Sequence, residues 1–212
     1  MLTQLQETAT RILEFAGSTV GIRSGTEEPP HTVRSLVPGV EIRQYGPRIA
    51  AQTHVQANEE AARSAGFRRL ARYIFGANQH RESIAMTMPV GQQATGGGAQ
   101  PTATTLPIGQ QLGDERGWVI RFYLPTGSTL QSLPTPDDER VALVEVAPET
   151  VAVLRFSGDR GPSRVAEQTR LLRETLRDYG FTAVGEPSAW FYDPPWTLAC
   201  LRRNEIAISV ET

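Results

Sequence analysis

The stretch VEIRQYGPRIAAQTHV, residues 40–55, returns in a related form as VALVEVAPETVAVLRF, residues 141–156. Pro47 of the first copy aligns with Pro148 of the second, 101 positions later. Alternating apolar residues around a turn predict two strands in each copy, and a helical pattern follows both. One such unit cannot cover its own sheet, whereas two copies packed about a pseudo-twofold axis can share a core. The repeat therefore predicts an α+β fold, a distorted antiparallel β-barrel with two flanking helices.

The repeat also predicts the domain organisation. We expect repeat one to span residues 31–124 and repeat two residues 140–210, each with a hairpin, a helix and a strand, within a single domain of residues 21–212. Residues 1–20 lead into this domain, and they carry the pattern of a short amphipathic helix near residues 3–16.

Composition limits the classes of function. The 212 residues carry a formal net charge of −2, so no general positive field favours nucleic acid, and we expect no nucleic-acid partner. Cys200 is the one cysteine, which excludes an internal disulfide and a cysteine metal cluster. No run approaches the roughly 20 apolar residues of a membrane span, and the N-terminus lacks the basic region of a signal peptide. These features predict a cytoplasmic protein, and glycine-rich residues 91–117 predict a flexible loop.

An arginine-rich helix follows the first copy of the repeat. Asn58 suits its N-cap and Gly76 its C-terminal end, and the stretch GFRRLARYIFGAN, residues 66–78, keeps helical spacing. We expect four arginines along one flank of this helix, beside an apolar face: Arg63, Arg68, Arg69 and Arg72. A guanidinium group offers paired hydrogen-bond donors to a carboxylate, so this flank is a candidate binding surface.

The next segment, IAMTMPV at residues 84–90, alternates in the manner of a strand. Such alternation would put Ile84, Met86 and Met88 on one face, where methionine provides adaptable packing. Pro89 cannot donate a ladder hydrogen bond and is expected near the end of the strand.

These stretches resemble the SOUL haem-binding proteins. The resemblance rests on VEIRQYGPRIAAQT, GFRRLARYIFGAN, IAMTMPV, and YDPPW followed by RRNEI, and GTEEPP near the N-terminus resembles the bacterial branch. It covers about residues 20–208. The resemblance implies a distorted barrel of two repeats that binds haem or another tetrapyrrole, as a carrier or buffer.

The resemblance also implies a place for the ligand, an apolar surface groove beside the arginine-rich helix whose arginines hold the propionates. Candidate contacts are Arg63, Phe67, Leu70, Ala71, Arg72, Met86, Met88 and His31. In one branch of the family an axial histidine has been proposed in the motif IRHYGP, but Gln44 stands at that position here. Histidine ligation therefore does not carry over, His31 is the remaining candidate for the iron, and we expect binding through the porphyrin face and propionates.

Two other functions stay open at this level. The chain lacks H-E-x-x-H, a Walker loop, G-x-S-x-G and G-x-G-x-x-G after a strand, yet a haem-modifying activity or a small-molecule hydrolase in the cleft between the repeats is compatible with the sequence. Glu145 and Glu205 are the carboxylates of interest for such chemistry. The third hypothesis is an interaction module whose partner binds the helix flank.

Overall fold

The computed structural model describes residues 27–85, 87–95, 117–193 and 196–211. Its helices are α1 (Glu59–Ile74) and α2 (Pro162–Asp178), with a short 3₁₀ helix at Ala199–Leu201. Its strands are β1 (His31–Val37), β2 (Val40–Tyr45), β3 (Arg48–Gln56), β4 (Val90–Thr95), β5 (Gly117–Tyr123), β6 (Val141–Val146), β7 (Glu149–Phe156), β8 (Ala183–Phe191) and β9 (Asn204–Val210). The expected helix near residues 3–16 and Met86 lie outside the described residues. So does most of the expected loop at 91–117, whose first residues belong instead to β4.

All nine strands form one antiparallel sheet in the order β1-β2-β7-β9-β8-β4-β5-β3-β6. If β2 to β5 are exchanged with β6 to β9, the order of these eight strands reads the same from the other end, and β1 is an additional edge strand. This is the symmetry expected of two copies related by a pseudo-twofold axis, and the axis passes through the pairing of β4 with β8.

Strands β1 and β2 form a hairpin, but the two strands around Pro47, β2 and β3, do not pair with each other, and neither do β6 and β7 around Pro148, which corrects the hairpin expected in the second copy. Strand β2 pairs with β7 of the other copy, and β3 pairs with β6. The chain crosses between the two halves at the turns around Pro47 and Pro148. This exchange joins the two copies through backbone pairing of strands. It brings Arg48 and Glu149, which occupy equivalent positions in the two copies, into contact.

The α+β class, the antiparallel sheet and the two helices are confirmed, but the sheet is not a closed barrel. Strands β1 and β6 form its two ends, and no pairing joins them in the described part of the chain. Residues Thr32 to Ser35 in the middle of β1 are exposed. The outer side of β1 therefore remains an open edge of a curved sheet.

Both helices pack on the same layer of side chains, and each covers one half of the sheet. Helix α1 packs on β3 and β5 through residues such as Leu70, Ile74 and Phe122. Helix α2 packs on β7 to β9 through Leu172 and Leu176. Alternate residues point to the opposite side, called here the helix-free face, where a separate aromatic cluster contains Tyr45, Val151, Val153, Trp190, Tyr192 and Ala207.

Local signals predicted α1 well. Asn58 accepts a hydrogen bond from the Ala61 amide at 2.9 Å, and Gly76 adopts φ +103° after the last turn. Gly66 faces β5 so closely that an added Cβ would lie 2.4 Å from Cγ1 of Ile120. A glycine is therefore required inside this helix to let it approach the sheet.

The segment at residues 84–90 is not the regular strand that its alternation predicts. Thr87 forms an isolated bridge with Glu27, the Met88–Pro89 peptide is cis, and β4 begins at Val90. Ile84 packs with the α1 cluster, whereas Met88 packs on the helix-free face. These two side chains therefore do not share a face, because the irregular backbone between them breaks the two-residue period.

Candidate functional site

The arginines of α1 do not share one flank, contrary to the prediction. Arg63 and Arg72 are nine positions apart, about two and a half helical turns, so they point to opposite sides of the helix. Arg69 donates hydrogen bonds to Thr53 and to the His54 carbonyl on β3. Arg68 is exposed. A single cationic strip along the helix is therefore replaced by two separate sites.

On one side of α1, two guanidinium groups meet over one aromatic ring. The Cζ atom of Arg63 lies 4.8 Å from the ring centroid of Phe191, and that of Arg160 lies 5.7 Å from the same centroid. Arg63 Nη1 donates to the Arg160 carbonyl at 3.1 Å, and Arg160 Nη1 donates to the Asp193 carbonyl at 3.1 Å. Together with Phe67, one helical turn after Arg63, these residues define the Arg63 flank: Arg63, Phe67, Arg160 and Phe191.

The charges at the Arg63 flank favour the binding of an anion. Burial and the neighbouring charges of Arg63 and Arg202 together lower the pKa of Arg160 to about 10, although Asp193 and Asp159 partly oppose this shift. Burial also lowers the pKa of Arg63, although nearby acidic groups partly oppose this shift. Its carboxylate contact is to Glu60, at 4.0 Å. Among the described residues Arg160 forms no ion pair, and its direct contacts are with the Asp193 carbonyl and the Phe191 ring.

Exposed apolar side chains border these two arginines. Phe67 is 41% exposed and packs edge-on against Phe122, with 5.4 Å between ring centroids. The loop after Asp193 exposes Trp196, Leu198 and Leu201, and its 3₁₀ helix accepts a hydrogen bond from Gly158 beside Arg160. The flank thus combines cationic groups with apolar surface on both sides.

The remaining predicted site residues lie elsewhere. Leu70 is fully buried and Ala71 is buried, so both pack between α1 and the sheet and neither is accessible to a ligand. Arg72 lines a cavity of about 530 Å³ together with Arg69 and residues 136–140. Asp138 in that cavity is bound by Arg140, whose hydrogen bonds lower the carboxyl pKa to about 2.

His31 is also remote from the Arg63 flank. Its Nδ1 lies 2.8 Å from the Pro29 carbonyl oxygen, and its ring packs on Tyr45 with 4.7 Å between centroids. Met88 belongs to the same helix-free cluster as Tyr45. The structure therefore brings Arg63 and Phe67 together and separates them from Arg72, Met88 and His31.

Arg160 and Phe191 were not identified from the sequence. Arg160 lies in the loop SGDRGP at residues 157–162, whose last residue begins α2. The sequence did contain a signal for this residue, because Arg160 lies immediately before the helix of the second repeat. Only the association of the two copies places it beside Arg63.

A second arginine pair, Arg43 and Arg203, lies on the helix-free face, and both residues bind the same carboxylate. Glu205 has no exposed surface and accepts hydrogen bonds from Arg43 at 2.8 and 3.0 Å, from Arg203 at 2.9 Å and from the Tyr192 hydroxyl at 2.7 Å. Burial alone would raise the pKa of Glu205, but Arg43 and Arg203 outweigh it and the pKa is lowered. This carboxylate, named above for acid–base chemistry, is held ionised by its partners. Glu145, the other candidate, is exposed.

A family model described as SOUL heme-binding protein matches residues 26–209. The chain belongs to the SOUL haem-binding protein family. This confirms the resemblance and supports haem as a possible ligand at the level of the family. No helix among the described residues has the length and apolar character needed to cross a membrane.

Two mammalian relatives agree with this assignment. The human protein Heme-binding protein 2 is 29% identical to this SOUL chain over 141 residues, which cover 66% of the chain and 62% of the human protein. The mouse protein of the same name is 26% identical over 171 residues, covering 76% and 77%. The match thus spans less than two thirds of the human relative.

A solved structure has a similar fold. The crystal structure of the EcmrR C-terminal domain has a TM-score of 0.56 and 10% sequence identity, and the match covers 82% of the SOUL chain and 97% of that domain. At this identity the likeness concerns the fold alone.

Proposed function

We propose that this protein binds haem or a related tetrapyrrole at the Arg63 flank and serves as a carrier or buffer of that ligand. Arg63 and Arg160 would each bind a propionate, and the porphyrin edge would lie against Phe67. The observation that carries the proposal is the meeting of two guanidinium groups over the Phe191 ring, where both donate their hydrogen bonds to main-chain oxygens.

The charge of the ligand fits this pair of donors. Two propionates supply two negative charges, and each can accept paired hydrogen bonds from a guanidinium group. Charge-assisted hydrogen bonds contribute about 1.5–3 kcal/mol each when both partners are desolvated. Burial and then the positive charge of Arg63 lower the pKa of Arg160, so an anion bound between the two guanidinium groups relieves their repulsion.

Exposed apolar side chains suit the rest of the ligand. Phe67, Trp196, Leu198 and Leu201 leave apolar area in contact with water. Covering such area with a flat macrocycle contributes roughly 25 cal/mol per Å². Haem itself would supply an iron centre. The chain would position it through the guanidinium groups of Arg63 and Arg160 and the aromatic ring of Phe67.

This mode of binding does not depend on an iron ligand. Gln44, at the position of the proposed axial histidine in relatives, is exposed and accepts a hydrogen bond from Thr32. His31 contacts Pro29 and Tyr45, away from the Arg63 flank. We therefore expect iron-free protoporphyrin IX to bind with an affinity within about threefold of haem, since a factor of three corresponds to less than 1 kcal/mol.

An absorbance titration with both pigments tests the proposal. Both should give saturable spectral changes, and Phe67→Ala should weaken both by roughly tenfold because it removes part of the apolar contact. Leu130→Ala, at another exposed apolar side chain, is the matched control and should leave both affinities unchanged. Spectra that do not change with either pigment would disprove the proposal, and binding of haem alone would indicate an axial ligand.

The enzymatic alternatives have less support from the described residues. A hydrolase acting on the helix-free face would need a carboxylate free to move a proton, and Glu205 is bound by two arginines and a tyrosine. We therefore do not propose catalysis.

A further inference from the structure

The segment at residues 196–201, called here the 196–201 loop, presents large apolar side chains to solvent. Trp196 is 53% exposed, Leu198 54% and Leu201 42%. The two residues between Leu198 and Leu201 are exposed as well. Apolar side chains that are scattered singly over a surface need no explanation, whereas a concentrated patch marks an interaction surface.

The backbone of the 196–201 loop is fixed to the rest of the fold. Thr197 is 1% exposed, and its carbonyl oxygen accepts a hydrogen bond from Nε of Arg202 at 2.8 Å. The Gly158 amide donates to the Ala199 carbonyl at 2.8 Å. The apolar side chains are therefore exposed on an anchored backbone, and little loop-ordering entropy is lost when a partner covers them.

The loop and the residues that follow it carry positive charge. Residues 196–204 include Arg202 and Arg203 and no acidic residue. Arg203 forms ion pairs with Glu28 and Glu205 on the other side of its backbone, so the charge next to the apolar patch comes from Arg202.

Arg160 adds to this positive surface beside the loop. Burial lowers its pKa, and so do the charges of Arg63 and Arg202. The opposing effects of Asp193 and Asp159 are each smaller. The neighbouring charges therefore create a positive potential at Arg160, although the whole chain has a formal net charge of −2.

These properties fit a lipid surface better than a protein partner. A specific protein interface involves about 20–30 residues on each side, far more than this loop offers. A tryptophan with leucines beside it is typical of segments at the membrane interface, where the indole ring is covered by lipid and its N–H stays hydrated. Positive charge next to such a group is complementary to anionic headgroups.

We propose that the 196–201 loop docks the protein on membranes that contain anionic lipid. The three large apolar side chains enter the interfacial region, and Arg160 and Arg202 face the phosphates of the headgroups. Docking itself does not depend on tetrapyrrole binding. Its consequence, that the Arg63 flank is held at a surface into which an apolar pigment partitions, rests on the proposed function.

Co-sedimentation with vesicles in the absence of pigment tests this proposal. The wild-type protein should bind vesicles of phosphatidylcholine and phosphatidylserine, mixed about two to one, at least about fivefold more tightly than vesicles of phosphatidylcholine alone. Leu198→Gln should weaken binding to the mixed vesicles by about fivefold, because it removes part of the inserted apolar surface.

Phe75→Gln is the matched control. Phe75 is 67% exposed, but it follows the C-terminal end of α1, roughly 18 Å along the helix axis from Arg63. This substitution also replaces an exposed apolar group with an amide, and it should leave binding to the mixed vesicles unchanged.

Tryptophan fluorescence reports which part of the protein enters the lipid. Mixed vesicles should shift the wild-type emission to shorter wavelength, because Trp196 leaves water whereas Trp190 is already buried. Trp196→Phe should keep most of the binding and lose the shift.

Four results would each overturn the proposal: absence of binding to the mixed vesicles, equal binding to both lipid compositions, equal losses in Leu198→Gln and Phe75→Gln, or a shift that persists in Trp196→Phe. The pigment titrations contain no lipid and the vesicle experiments contain no pigment. Membrane docking and tetrapyrrole binding can therefore fail separately.

Discussion

Two pairs of arginines in this molecule are used in opposite ways. Arg43 and Arg203 close on one buried carboxylate, Glu205, which also binds Tyr192. Arg63 and Arg160 close on an aromatic ring, with main-chain oxygens as their nearest acceptors in the described chain. The first pair has its charges neutralised inside the fold. The comparison indicates that an arginine suggests a ligand site only where no carboxylate is hydrogen-bonded to its donors. The number of arginines in a segment does not by itself indicate such a site.

The largest expected effect concerns the first pair. Glu205→Gln removes the buried counter-charge that Arg43 and Arg203 share and leaves each with one more exposed carboxylate, Glu41 and Glu28. We expect the free energy of unfolding to fall by about 3 kcal/mol, the lower end of the range for breaking a buried ion pair. Urea unfolding followed by circular dichroism measures this change. Arg160→Gln is the matched comparison, and it should change the free energy of unfolding by less than about 1 kcal/mol, because that charge has no ion pair to lose. Equal losses in both variants would remove the distinction between the pairs.

The pH dependence of stability should separate the pairs as well. The pKa of Glu205 lies below its ordinary value of 4.5 in the folded protein, so its ionised form is favoured by folding. The resulting stabilisation is fully present above pH 4.5 and is lost as the pH falls through the folded-state pKa. The difference in unfolding free energy between wild type and Glu205→Gln should therefore shrink below pH 4.5. A difference that stays constant down to the acid limit of folding would contradict this role.

The second pair should affect ligand binding more than stability. Arg63→Gln and Arg160→Gln each remove one propionate contact, and each should weaken protoporphyrin IX roughly tenfold, as expected for the loss of one charge-assisted hydrogen bond. Absorbance titration gives the dissociation constants. Loss of affinity in Arg63→Gln but not in Arg160→Gln would restrict the site to α1.

The smallest expected effect is that of Arg72→Gln. This arginine lies on the opposite side of α1, in the cavity with residues 136–140. The substitution should change the affinity for protoporphyrin IX by less than about twofold, which corresponds to under 0.5 kcal/mol. A tenfold loss would move the ligand to the other side of the helix.

Local patterns predicted much of the fold. A hairpin was expected at the start of repeat one, and β1 and β2 form it, and Asn58 and Gly76 predicted the ends of α1. The partners of β2 and β3 could not be predicted in this way, because strand pairing between two similar copies depends on packing over about 100 residues of chain. The prediction failed there by assuming hairpins.

The candidate site was predicted only in part. Arg63 and Phe67 lie where a propionate and a porphyrin edge could be bound, but Arg72 was assigned to their side although helical spacing already excludes it. Arg160 and Phe191 come from the other copy, so local spacing contains no information about their distance from Arg63. Contacts between the two copies are therefore the part of the site that could not be predicted from the sequence.

The most direct test compares protoporphyrin IX with its dimethyl ester, which has the same ring but no propionate charge. The wild-type protein should bind the diacid at least about tenfold more tightly than the ester. The double variant Arg63→Gln/Arg160→Gln should bind the two with equal affinity, because both cations are then gone. Equal affinity of the wild-type protein for the diacid and the ester would contradict the central claim that Arg63 and Arg160 hold the ligand by its carboxylates.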